Sequence, residues 1–153
     1  TGADDDVATD DDNDDCGSNF GHTAAETGAD GVHIGQEDTA YEEARRLVGA
    51  EAIVGVTCHD VRHLAIEAAE KGADYVAFGP VVETGLGDGA VAERDLFQWW
   101  SEMIEVPVVA EGGLTQALVS QLGPVTDFFG IGTEIWKTED PAAALKTLMS
   151  GLA

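Results

Sequence analysis

The sequence predicts an α/β fold, a partial (β/α) barrel of the TIM type, with five βα units in residues 23–153 behind an acidic tail in residues 1–22. Three observations carry that prediction. Five short apolar runs recur along the chain. Each is followed by a polar loop and then by a helical pattern, and this alternation is the signature of an α/β sheet. The last two runs end in glycine-rich turns, which in barrels form a recurrent phosphate site. A complete eight-unit barrel takes about 250 residues. A chain of 153 residues accommodates five units after its tail.

The tail comes first. Eight of the first fifteen residues are aspartate. Like charges dominate and there is almost no apolar surface to bury, so residues 1–22 read as disordered. Asp12, Asp14 and Gly17 have calcium-loop spacing, but Thr23 stands where a bidentate glutamate is required. A calcium loop is therefore excluded.

The strands follow at Gly31–Ile34, 52–56, Tyr75–Phe78, 106–110 and 128–131. Their apolar runs are continuous rather than alternating, which suits parallel strands buried on both faces. The helices between them carry start signals. Thr39 and Glu42 form a capping-box pattern, with Tyr41, Ala44, Leu47 and Val48 on one face. Asp60 is a candidate cap for the next helix, with Gly72 as its stop. Leu96, Trp99, Trp100 and Met103 line a third stripe, so at least one tryptophan is a packing residue. Thr115 caps a short fourth helix, and Asp140-Pro141 opens the last one. The phrases Gly28-Ala29-Asp30-Gly31-Val32 and Gly72-Ala73-Asp74-Tyr75-Val76 echo each other as repeated αβ joints.

Charge bounds the partners. Thirty acidic and seven basic residues give a formal net charge of −23 at pH 7. Such a surface repels nucleic acid and anionic membrane. It suits a high-salt environment, where ions screen the self-repulsion, or a generally acidic enzyme. Cys16 and Cys58 make no disulfide framework. No apolar run reaches the roughly 20 residues of a membrane span, and the N-terminus lacks the pattern of a secretory signal. The expected location is cytoplasmic.

The active site of a parallel α/β fold lies at the C-terminal ends of the strands. Gln36, Glu37 and Asp38 follow the first strand, and carboxylates there suit an oxygen-liganded Mg²⁺; Asp38 equally suits a helix cap. Thr57, Cys58 and His59 follow the second. Thr57 can bond a phosphate oxygen, His59 can move a proton, and Cys58 reads as packing. Glu83 and Thr84 follow the third, ahead of a glycine-rich loop at 85–89. Gly112 and Gly113 follow the fourth, and Gly132 and Thr133 the fifth; their backbone N–H groups form the phosphate end. Trp136 reads as core packing.

These motifs converge on a family. Asp30-Gly31-Val32-His33-Ile34-Gly35-Gln36-Glu37-Asp38 resembles the signature of thiamine phosphate synthases. So do Gly55-Val56-Thr57-Cys58-His59, Gly72-Ala73-Asp74-Tyr75-Val76-Ala77-Phe78-Gly79-Pro80, and Pro107-Val108-Val109-Ala110-Glu111-Gly112-Gly113. The resemblance runs from Ala24 to the C-terminus. It implies a transferase that joins hydroxymethylpyrimidine diphosphate to hydroxyethylthiazole phosphate, with Mg²⁺ assisting release of diphosphate. It implies that Asp38 ligates Mg²⁺, that Thr57 lies near the diphosphate, and that Thr84, Gly113, Gly132 and Thr133 hold the thiazole phosphate. Family members carry further strands before this region, with diphosphate-binding residues that are not identifiable in 1–23. Gly85, Leu86 and Gly87 stand where the family has a lysine, and Glu111 where it has an apolar residue. A related subgroup, the thiazole tautomerases, uses a histidine at the position of His59, and a non-catalytic phosphate-binding remnant is the third reading. Five units leave two sheet edges open, so pairing into a homo-oligomer, or completion by a longer gene product, is expected.

Overall fold

The structure is a computed structural model that describes residues 20–83 and 90–152. The tail to residue 19, the candidate calcium spacing, Thr84 and the glycine-rich loop at 85–89 lie outside the described residues. Helix α1 (Phe20–Thr27) opens inside the segment read as tail. Then follow β1 (Gly31–Ile34), α2 (Tyr41–Val48), β2 (Ile53–Thr57), α3 (Arg62–Lys71), β3 (Tyr75–Phe78), α4 (Arg94–Met103), β4 (Val108–Glu111), α5 (Gln116–Leu122), β5 (Phe128–Gly130), a short α6 (Thr133–Trp136) and α7 (Pro141–Met149).

The five strands form one parallel sheet in sequence order, β1-β2-β3-β4-β5. The sheet does not close, so β1 and β5 are its edges. Alternate residues face opposite sides. Val54, Val56, Val76, Phe78, Val108 and Ala110 face the helices and are buried. His33, Ile53, Thr57, Tyr75, Val109, Glu111 and Phe128 occupy the other, inner face, as the pairing register requires. That face departs from the expectation of strands buried on both sides: Ile53 is 51% exposed and Phe128 60%. With five strands, nothing among the described residues stands opposite it.

The core lies between sheet and helices. Phe78 meets Phe97 and Trp100 edge to face at ring separations of 5.6 and 5.5 Å. The Trp100 indole donates to the Val106 carbonyl at 2.8 Å, so the fully buried ring keeps a partner for its N–H. The buried face of α4 is centred on Phe97 and Trp100, one residue beyond the expected stripe. Met103 therefore points outward and is 63% exposed. Trp99 is half-buried, under the Arg62 guanidinium at 4.0 Å. Trp136 is exposed rather than packed, because four-residue α6 is too short to turn it back onto the sheet.

Two expected caps move. Ala40, not Thr39, precedes α2, and Val61, not Asp60, precedes α3; neither helix has a side-chain cap bond. At α3 a turn closed by Val61 N–H to Cys58 O delays the helix past Asp60. Thr115 and Asp140 do cap, accepting from Leu118 N and Ala143 N. Gly72 ends α3 in the left-handed conformation, φ 102°.

Candidate functional site

The C-terminal ends of β2 to β5 surround an open cleft of about 700 Å³. Six of the sequence-predicted residues line it together: Thr57, His59, Gly112, Gly113, Gly132 and Thr133. Local backbone explains why. Gly112 and Gly113 take φ of 81° and 85°, a consecutive left-handed pair that folds the β4 end back over the cleft. Gly79, at the end of β3, allows that strand to reach Glu111: a Cβ there would collide with the Glu111 carbonyl. His59 sits at φ 54°, a left-handed position for a non-glycine residue, and its carbonyl accepts from Gly79 N at 3.1 Å. The residue lines the cleft and is exposed.

The glycine N–H groups have a partner that the sequence analysis missed. Glu134 Oε1 accepts from Gly113 N at 3.0 Å and from Leu114 N at 3.2 Å. Its Oε2 accepts from Gly132 N at 2.7 Å. Burial pushes the Glu134 carboxyl upward, but these backbone bonds outweigh it and hold the group below the ordinary carboxylate range. Two glycine turns from different strands thus converge on one carboxylate, the geometry an anion requires. The signal in the sequence was an acidic residue two positions after Gly132, which reads simply as a helix-dipole complement.

Gln36 and Asp38 border a different, smaller cavity, between the β1 loop and helices α2 and α3. Gln36 still reaches the cleft wall, donating Nε2–H to the Thr57 carbonyl at 2.6 Å. Asp38 Oδ2 accepts from Gly35 N at 2.6 Å, which closes the loop on itself. No cluster of three or more His, Cys, Asp or Glu suited to a metal ion forms among the described residues. Cys58 is buried, and burial, with a smaller push from Glu111, raises its thiol to about 12. It is a packing residue, as expected, and inert.

The inner face of the sheet adds side chains to the cleft floor. His33 Nε2 lies 2.6 Å from Thr57 Oγ1, and Thr57 Oγ1 donates to Glu111 Oε1 at 3.3 Å. His33 Nδ1 lies 2.8 Å from the Tyr75 hydroxyl, with the two rings stacked 5.5 Å apart. Burial, then Glu111, keeps the Tyr75 phenol above its ordinary range.

An open parallel sheet of five βα units, with a cleft at its strand ends, defines an α/β protein of the (β/α)-barrel type. Comparison gives the family within that class. The model of the thiamine monophosphate synthase family matches residues 21–124, and the chain belongs to that family. It is 54% identical over 127 residues to a thiamine-phosphate synthase of Rhodospirillum centenum, covering 80% of this chain and 60% of that protein. It is 45% identical over 119 residues to one from Erythrobacter litoralis, covering 75% and 56%. Among solved structures, a thiamine phosphate pyrophosphorylase from Pyrococcus furiosus superposes with a TM-score of 0.76 at 27% identity, over 88% of this chain and 65% of that one. The chain thus spans about three-fifths the length of the curated relatives it matches.

Proposed function

We propose that the chain serves a thiamine-phosphate synthase reaction, in which hydroxymethylpyrimidine diphosphate alkylates the ring nitrogen of hydroxyethylthiazole phosphate and diphosphate leaves. The observation that carries this is the convergence of Gly113, Leu114 and Gly132 N–H groups on one anionic position in the strand-end cleft. The thiazole phosphate takes that position and displaces the Glu134 carboxylate. Gly112, Thr133 and His59 line the same cleft. Thr84, which the family resemblance adds to this phosphate grip, lies outside the described residues.

Mg²⁺ usually keeps several waters and takes one or two protein carboxylates beside substrate phosphates. Asp38, oriented by Gly35 N–H beside the strand-end cleft, would supply one such carboxylate to a metal held largely by the diphosphate. Bound there, the ion would neutralise charge on the leaving group. Gln36 and Thr57 tie the β1 loop to the cleft wall.

Small phosphorylated heterocycles are the proposed partners. A cytoplasmic location, exclusion of nucleic acid and pairing of chains through the open sheet belong to the same proposal. No helix among the described residues is long and apolar enough to cross a membrane.

The test is calorimetric titration with hydroxyethylthiazole phosphate, followed by assay of diphosphate release from both precursors with Mg²⁺. Binding and release are expected. A folded chain that binds neither precursor overturns the proposal. The strained, cleft-facing His59 favours one second reading, a thiazole phosphate tautomerase. Isomerisation of thiazole carboxylate phosphate that is lost in His59→Ala supports that reading; an unchanged rate removes it.

A further inference from the structure

The roles above leave the hydrogen-bonded chain on the inner face unused. Its direction follows from counting hydrogens. An ionised carboxylate only accepts, so the single hydroxyl hydrogen of Thr57 is committed to Glu111. The 2.6 Å contact between His33 and Thr57 is then donated by His33 Nε2–H. In a neutral ring Nδ1 is left as the acceptor, and the Tyr75 hydroxyl donates to it. Every hydrogen in the chain points toward Glu111.

Four side chains from four consecutive strands make this arrangement, and the register brings them together. His33 lies opposite Gly55, Gly55 opposite Tyr75, and Thr57 opposite Ala77. Gly55 has no side chain, and a Cβ there would enter the Tyr75 ring. The gap lets the phenol lie across β2 to reach His33.

The chain ends on a carboxylate that lines the cleft and is half-buried. Among the described residues no salt bridge reaches it. Its one side-chain hydrogen bond among the described residues comes from Thr57. A carboxylate partly withdrawn from water, with one donor and no cation, is short of compensation. The missing partner is a positive charge.

The reaction proposed above generates one, and the inference rests on that reading. The methylene C–O bond breaks, and its electron pair leaves with the diphosphate. The thiazole nitrogen lone pair forms the new C–N bond, so a neutral thiazole becomes a thiazolium. No proton and no oxidant is consumed. We propose that Glu111 is the counter-charge for this cationic ring. The Thr57–His33–Tyr75 chain positions it, so that it stabilises the charge as it develops and distinguishes thiazolium from neutral thiazole. This also accounts for an acidic residue beside a phosphate site: the phosphate and the ring of one ligand occupy different parts of the cleft.

Two ligands that share a phosphate arm separate these contributions. Affinities for hydroxyethylthiazole phosphate (neutral ring) and thiamine phosphate (cationic ring) are measured by calorimetry on the full chain and on Glu111→Gln. The variant is expected to bind thiamine phosphate about tenfold more weakly, roughly one decade in Kd, and to bind the thiazole phosphate within twofold of the parent. In the unmodified chain, raising NaCl from 0.05 to 0.5 M is expected to lower the thiamine phosphate preference, because the phosphate contribution cancels in the ratio and the ring–carboxylate attraction is screened. This second measurement stands even if the variant does not fold. Equal weakening of both ligands, or no change in the ratio, overturns the role of Glu111 and leaves the synthase reading intact. Failure of the unmodified chain to bind either ligand overturns both.

Discussion

At the scale of the residue, Glu134 shows how converging backbone donors can be satisfied from within. Its carboxylate takes the three N–H groups of Gly113, Leu114 and Gly132. In the proposed function an incoming phosphate competes with it. Glu134→Ala is expected to tighten binding of inorganic phosphate by about fivefold to tenfold, equivalent to roughly one ordinary net hydrogen bond, read from amide shifts of Gly113 and Gly132 in an NMR titration. Unchanged affinity would show that the carboxylate and the phosphate use different groups. The same substitution carries a pH signature. The folded pKa of Glu134 is depressed, so its stabilisation is fully present above the unfolded glutamate value of about 4.3 and is lost as pH falls below that toward the folded pKa. Acid unfolding of Glu134→Ala should therefore be less steep below about pH 4. An unaltered acid limb in chemical denaturation would refute this.

At the scale of the element, the strands were the most legible part. Gly31–Ile34 and Tyr75–Phe78 lie where their apolar runs put them. The runs at 52–56, 106–110 and 128–131 each shift an end by one or two residues. Helix starts were less legible, because a turn such as Cys58 O to Val61 N costs a polar residue its capping position without changing the composition. The site was legible where chemistry is local: the glycine turns and His59 read directly. Glu111 was visible only as a misplaced charge, and the His33–Thr57–Glu111 chain depends on register between strands, which no short window of sequence contains. The second phrase of the αβ echo gained a physical cause, which Asp127, outside the echo, repeats. Asp74 accepts from Val54 N at 2.8 Å, and Asp127 accepts from Val108 N at 2.9 Å, each pinning the start of its own strand to the strand before it. Asp127→Ala is expected to cost about 1–2 kcal/mol by leaving that N–H without its partner, measured by urea denaturation; a loss below the error of the method would count against the pinning role. Gly55→Ala is expected to be worse, by about 1–3 kcal/mol of overpacking, and to detach Tyr75 from His33. The check is the Tyr75 hydroxyl proton in NMR, which should lose its protection; a retained signal would mean the ring has another way round.

At the scale of the whole molecule, two properties oppose each other. The inner face leaves Ile53 and Phe128 exposed around a cavity of about 500 Å³, between two open edges. That combination favours pairing with another chain. The net charge of −23 disfavours pairing of like chains at low ionic strength. Self-association should therefore rise with salt, since screening weakens the repulsion and leaves apolar burial in place. Sedimentation of the 16.0 kDa chain from 0.05 to 1 M NaCl tests this. A mass independent of salt and concentration would show that the face does not self-associate, and Phe128→Lys should suppress whatever association is seen.

Among the described residues, no lysine or arginine lines the cleft. Arg45, Arg46 and Lys71 are bound to Asp74, Glu43 and Glu42, Arg94 to Gln98 and the Gln121 carbonyl, and Arg62 covers Trp99. None of the seven basic residues lines the strand-end walls. In the proposed function, an anion would be captured by backbone dipoles inside a molecule whose long-range field repels it. Most phosphate sites attract their ligand from a distance and lose it in salt. Here the encounter is uphill and the grip is short-ranged, so added electrolyte should speed arrival while leaving departure almost unchanged.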